Sequence, residues 1–159
     1  MKKITPPERL AALFAAHDMD IDVLEFPDGT RSALDAARAV GCDVSDIGKS
    51  LVFMAVDENK PVLVIMNGAD RVDENRVATL IHQPIRKANA DDVRAATGYA
   101  IGGVPPFGHL TPVMTLIDEK LLIKDVIWLA AGTPRSVFAM TPDQLRKITG
   151  IEAGVAVSA

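Results

Sequence analysis

The sequence predicts an α/β (α+β) fold, a mixed and mostly antiparallel central sheet or partial barrel flanked by helices. Three observations carry that expectation. Two almost wholly apolar runs, Leu51–Val56 and Pro61–Met66, are joined by Asp57-Glu58-Asn59-Lys60 and read as a central β-hairpin covered on both faces. Amphipathic helical stretches stand at both ends of the chain, with short strands between. The 159 residues are 48% hydrophobic and 24% charged, which supports one core; no repeat or linker interrupts them, so residues 1–159 are expected to form a single domain. Aromatics make up only 4%, so that core must be largely aliphatic.

In chain order, Pro6 and Pro7 lead into a helix through His17, with Leu10, Leu13 and Phe14 on its inner face and His17 at its C-terminus. Ile21–Phe26 is a strand closed by the turn Pro27-Asp28-Gly29. Ser32–Val40 is an Ala-rich helix stopped by Gly41. Beyond the hairpin, Asn67–Val72 is a turn-rich loop, and Asp73 caps a helix over Glu74–His82 with Val77, Leu80 and Ile81 inward. Ile85–Ala88 is a short strand, and Asp91–Thr97 a helix stopped by Gly98. Strands follow at Val113–Ile117, Val126–Ala131 and Val137–Met140. A helix from Thr141 to Ile148 has Pro at its first position, and Gly154–Ala159 reads as a frayed tail.

Composition excludes several functions. A net charge of −4 argues against a broad nucleic-acid footprint and against DNA as a partner, while leaving room for one local cationic patch. The single cysteine, Cys42, allows neither an intrachain disulfide nor a cysteine-based metal cluster, and it reads as structural. The first residues carry charge but no apolar segment, and no run reaches the ~18 apolar residues of a membrane span. A cytoplasmic protein without a signal peptide or membrane contact is expected. His17, His82 and His109 lack metal-ligand spacing, and no nucleotide-binding or nucleophile-elbow motif occurs, so neither metal nor cofactor is expected.

Two features could carry chemistry. Gly102-Gly103-Val104-Pro105-Pro106-Phe107-Gly108-His109 is stiff in its middle and permissive at its ends, with Val104 and Pro105 held extended. Its prolines have no N–H, which leaves the amides of Gly102, Gly103, Val104, Phe107 and Gly108 to hold a carbonyl or carboxylate. A buried corner where only Gly and Pro fit would give the same pattern. Lys49 stands before the apolar run of the hairpin. At a cleft its ammonium would hold a phosphate, carboxylate or developing oxyanion; otherwise it is a snorkelling surface residue. Lys2-Lys3 and Arg86-Lys87 read as solvated faces.

These residues resemble the YbaK/EbsC family, the editing domain associated with prolyl-tRNA synthetase. Gly102 to Pro106 match its Gly-x-x-x-Pro loop, with Lys49-Ser50-Leu51-Val52-Phe53 on the preceding hairpin, and Ile47-Gly48-Lys49-Ser50 is a further matching stretch. Gly68-Ala69-Asp70-Arg71-Val72-Asp73, Thr97-Gly98-Tyr99, Ile117-Asp118-Glu119 and Ala130-Ala131-Gly132 follow in order. The resemblance spans about residues 20 to 150. It implies a YbaK-like fold and a freestanding trans-editing enzyme that hydrolyses the ester of mischarged aminoacyl-tRNA, with tRNA-Pro the expected substrate. It also implies that Lys49 and Gly102 are catalytic, assisted by a terminal ribose hydroxyl of the substrate. Ser50, Phe53, Gly103, Val104, Pro106, Phe107, His109, Gly132 and Ser136 would then bind the aminoacyl-tRNA 3′ end. Prolyl-tRNA synthetase is a further partner, and the assembly is a monomer or homodimer. Some alanine-specific members carry a pocket histidine where this chain has Ser136, which argues against alanine specificity, and the extension Phe107-Gly108-His109 is shared by part of the family. Two rivals remain open, a non-catalytic module binding an aminoacyl, nucleotide or protein ligand, and a hydrolase of small free esters or nucleotides.

Overall fold

A computed structural model describes residues 3–29 and 32–159; Met1 and Lys2, and with them part of the Lys2-Lys3 run and of the N-terminal segment, lie outside the described residues. Among the described residues thirteen elements follow one another. These are α1 (Pro6–Ala16), β1 (Val23–Glu25), α2 (Ala33–Val40), a 3-10 turn (Val44–Asp46), β2 (Ile47–Ala55), β3 (Lys60–Asn67), α3 (Glu74–Ile81), β4 (Ile85–Lys87), α4 (Ala90–Thr97), β5 (Met114–Ile117), β6 (Ile127–Ala130), β7 (Ser136–Met140) and α5 (Pro142–Thr149). The strands form one open, mixed sheet in the order β1-β7-β6-β2-β3-β5, with β4 added beside β2. Four pairings are antiparallel and two, β2 with β6 and β3 with β5, are parallel.

The hairpin β2–β3 is the centre of the sheet. Val62 to Met66 are almost entirely buried, consistent with a strand covered on both faces. On one side β2 pairs with β3 along its length, from Gly48↔Asn67 to Ala55↔Lys60. Its other edge is shared between two strands. β6 takes Ile47 and Gly48, and β4 takes Phe53 to Ala55. Between them, from Lys49 to Leu51, that edge of β2 has no strand partner. The strand therefore starts earlier than the apolar run alone suggested and carries Lys49 inside it.

Local signals fix most helix ends. Thr5, Asn89 and Thr141 each close a capping box with the residue three positions on, while Ser32 and Asp73 cap α2 and α3. His17 terminates α1, its Nδ1–H donating to Leu13 O at 2.9 Å. Leu10 and Phe14 bury the inner face of α1, and Phe14 meets Phe107 and Phe138 at ring-centroid distances of 5.8 and 4.9 Å. In α3 Val77 is buried and Ile81 half-buried one turn on, but Leu80 is exposed, because the short helix offers the sheet only the i, i+4 stripe.

The C-terminal segment departs most from expectation. It is not frayed. Val155 exchanges backbone hydrogen bonds with Ile117 and Glu119, Asp73 N–H donates to Val157 O, and Ala159 N–H donates to Arg71 O at 2.8 Å. Val157 is fully buried among Phe53, Val64 and Val77. Val155 and Val157 are too few to signal a strand, and their partners lie far away in sequence. Among the described residues no helix is long and apolar enough to cross a membrane.

Candidate active site

The interrupted edge of β2 opens onto two cavities that share Lys49, Ser50, Leu51, Ile101, Gly102 and Val104. The larger, about 540 Å³, is also lined by Phe53, Arg71, Glu74, Lys87 and Val93. The smaller, about 280 Å³, extends beneath α2 and β6, where Ala33, Ala36, Trp128, Ala130 and Ser136 form its wall. Together they have the size and mixed lining of a small-molecule site.

Lys49 stands at the junction, half-buried. Its Nζ donates to the backbone carbonyl of Asp70. That carbonyl is placed by a turn built around Asn67, whose buried side chain accepts from Ala69 N–H and donates to Asp70 Oδ2, both at 2.9 Å. The Asp70 carboxylate lies 3.5 Å from Lys120 Nζ. Burial holds the Lys49 ammonium below its ordinary lysine range; the nearby Asp70 carboxylate opposes that, and the Arg71 guanidinium adds to it.

The Gly/Pro loop supplies the opposite wall. Gly102 has φ +87°, a conformation that favours glycine. At Gly103 a Cβ would lie 2.7 Å from the backbone of Thr133, so the loop can press against the β6–β7 connection only without a side chain there. Gly103 N–H is consumed by Ala100 O at 3.0 Å. The N–H groups of Gly102 and Val104 make no hydrogen bond among the described residues. Of the expected amide donors at the cavity wall, these two are free.

Ser50 lines both cavities, yet its Oγ is buried and has no hydrogen-bond partner among the described residues. Phe53 and Val104 form apolar wall. Ser136 faces the smaller cavity and shares a 2.7 Å hydrogen bond with Thr133 Oγ1. Lys49, Ser50, Phe53, Gly102, Val104 and Ser136 are thus brought together, with Gly103 behind them.

Pro106, Phe107 and His109 are not. They line a separate groove of about 580 Å³ beside the end of α5, which shares no residue with the Lys49 cavity. The buried pair Pro105-Pro106 carries the chain away from the site, Phe107 enters the aromatic core, and His109 Nε2–H donates to Pro105 O at 2.7 Å. Gly132 lines neither cavity; with φ +96° it lets Pro6 approach, where a Cβ would be 2.5 Å from Pro6 Cβ. Cys42 is half-buried beside the small cluster of Ala36, Ala37 and Ile47, and burial raises its thiol pKa. Arg71, Glu74 and Lys87 were not among the residues expected at the site. Arg71 falls within the matching stretch Gly68–Asp73, which assigns it no role, and Lys87 within a pair that reads as a solvated face, since charged residues beside a strand or helix start are ordinarily solvated.

The model of the aminoacyl-tRNA editing domain matches residues 28–148. The chain belongs to that family. A solved structure described as "a putative trans-editing enzyme for prolyl tRNA synthetase" is similar to this editing domain over 99% of both chains, with TM-score 0.89 and 36% identity. The Enterococcus faecalis protein named "Putative Cys-tRNA(Pro)/Cys-tRNA(Cys) deacylase EbsC" is 25% identical over 127 residues, 74% of this chain and 77% of that one. A proline–tRNA ligase of Limosilactobacillus fermentum is 34% identical over 97 residues, which is 58% of this chain but only 17% of the ligase. The editing domain here therefore aligns with a minor part of a much longer enzyme.

Proposed function

We propose that this editing domain is a trans-acting deacylase that hydrolyses the ester of a mischarged aminoacyl-tRNA, with tRNA-Pro the leading candidate carrier, in the cytoplasm. The observation that carries the reading is the meeting of Lys49 with the free N–H groups of Gly102 and Val104 at one cavity.

An ammonium has three N–H donors, and Asp70 O takes one of those on Lys49. The others are left to the ester carbonyl or the terminal phosphate. The Gly102 and Val104 amides would hold the carbonyl oxygen as it gains negative charge. Water attacks the carbonyl carbon, the tetrahedral intermediate collapses, and the C–O bond to the terminal ribose breaks. The ribose oxygen takes a proton and the amino acid leaves. The neighbouring ribose hydroxyl of the substrate would orient the water, so no enzyme nucleophile is required. The smaller cavity suits a small side chain, and Ser136 supplies its polar wall. A second sieve of this kind is needed because a synthetase pocket rejects a slightly smaller amino acid by only ~1–3 kcal/mol.

The test is hydrolysis of tRNA-Pro charged with Ala, Cys, Ser, Thr or Pro, extended to other tRNAs. Wild type removes at least one non-cognate amino acid, and Lys49→Ala lowers the rate about 100-fold or more with the fold intact by circular dichroism. No turnover by well-folded wild type on any substrate leaves only a binding module. Turnover undiminished in Lys49→Ala would remove Lys49 from the mechanism.

A further inference from the structure

We propose that Arg71 and Lys87 form a phosphate clamp at the rim of the larger cavity, gripping the sugar-phosphate backbone just before the ester-bearing terminal adenosine. The inference rests on the deacylase reading and adds the part of the nucleic acid that this rim holds.

Arg71 and Lys87 line the same cavity as Lys49, and against these three cations stands a single acid, Glu74. That wall is net positive on a chain whose net charge is −4. Neighbouring cations are neutralised: Arg76 pairs with Asp73, Arg86 with Asp92 at 2.8 Å, and Lys120 with Asp70. The side chains of Arg71 and Lys87 have no ion pair or hydrogen bond among the described residues. Leaving two cations unpaired near a third is electrostatically unfavourable until an anion arrives.

Both are presented from fixed backbone. Arg71 O accepts the Ala159 N–H, and Val72 next to it bridges to Ser158. Lys87 is paired in register with Phe53 of β2. A guanidinium fork and an ammonium held in this way match the two geometries in which protein cations bind phosphate oxygens. The clamp also reconciles an acidic protein with an RNA substrate, because it engages one or two phosphates rather than a duplex.

The probe is the trinucleotide CpCpA, labelled at its 5′ end and titrated against wild type and Arg71→Ala/Lys87→Ala by fluorescence anisotropy over a range of salt. The double variant is expected to bind at least tenfold more weakly, with a salt slope smaller by about 1 to 1.5. In parallel, kcat/KM is measured for aminoacyl-tRNA and for 3′-O-aminoacyl-adenosine, which has no phosphate. The wild-type preference for the tRNA should fall at least tenfold in the double variant, through KM, and Arg71→Lys/Lys87→Arg should restore it. Unchanged CpCpA binding and salt slope, or equal losses on both esters, would overturn the clamp. Phosphate-dependent CpCpA binding lost in the double variant, without ester turnover by wild type, would retain the clamp and remove the deacylase. Ester turnover with an unchanged KM in the double variant would do the reverse.

Discussion

Lys49 stands in a half-buried position where opposing influences on its ammonium meet. Burial disfavours the ammonium, Asp70 supports it and Arg71 repels it. If the ammonium acts as a cation on the ester, activity falls as pH rises through its lowered pKa. Asp70→Asn removes the supporting carboxylate but keeps the backbone carbonyl that accepts from Nζ. The alkaline limb of kcat/KM should therefore move to lower pH in Asp70→Asn, and to higher pH in Arg71→Ala. A pH–rate profile of the three proteins checks this, and coincident limbs would show that another group sets them. At this scale the sequence was informative where chemistry sits on a local motif, as with Lys49 and the Gly102–Val104 turn. It assigned Arg71 no role within its matching stretch and presented Lys87 as part of a solvated face, because their place at the cavity depends on what long-range pairing puts beside them.

Among elements, the C-terminal segment matters beyond its length. It closes over the loop that places the Asp70 carbonyl, through Asp73 N–H to Val157 O and Ala159 N–H to Arg71 O. Val157 adds a buried side chain, and burying a valine stabilises by ~1.5–3 kcal/mol. Removing residues 155–159 should lower Tm by several degrees, since ~1 kcal/mol is worth ~2–4 °C at this size. It should also raise hydrogen exchange across residues 67–73 more than across β6 and β7, and slow turnover by unfixing Lys49. Uniform exchange across the chain would deny the segment that local role. Long elements were legible because their periodicity repeats: the hairpin, α1 and α5 stand where the apolar pattern puts them. The tail was not, because its two valines find partners only after β5 and the loop before α3 have been placed. Phe107 and His109 went astray for a related reason. Contiguity in sequence suggested one wall, but two buried prolines turn the chain between Val104 and Phe107.

For the molecule as a whole, His109 links acidity to stability. It is half-buried, and burial lowers its pKa from the ordinary histidine value of 6.5, with the Pro105 hydrogen bond opposing that shift. The unfolded chain then takes up the proton more readily than the folded one. The contribution of His109 to stability is full above pH 6.5 and declines as pH falls through the histidine range. Carboxylates with lowered pKa, such as Asp70 and Asp92, withdraw their contributions only below about 3.8. The buried Asp118 carboxyl, whose pKa burial raises, works in the opposite sense as pH falls, so thermal melts between pH 7.5 and 5 read the His109 share as the difference between wild type and His109→Gln. Lowering the pH should cost wild type more Tm than His109→Gln, whose amide can still donate to Pro105 O. Equal slopes would place the pH sensitivity elsewhere.

The last residue of the chain has a practical consequence as well. Because the Ala159 amide is bonded to the Arg71 carbonyl, a group attached at residue 159 starts beside a residue that lines the larger cavity. A polyhistidine tag there would bring imidazoles within reach of the rim cations. Enzymatic and binding assays on this protein are best made with fusions that leave residue 159 free.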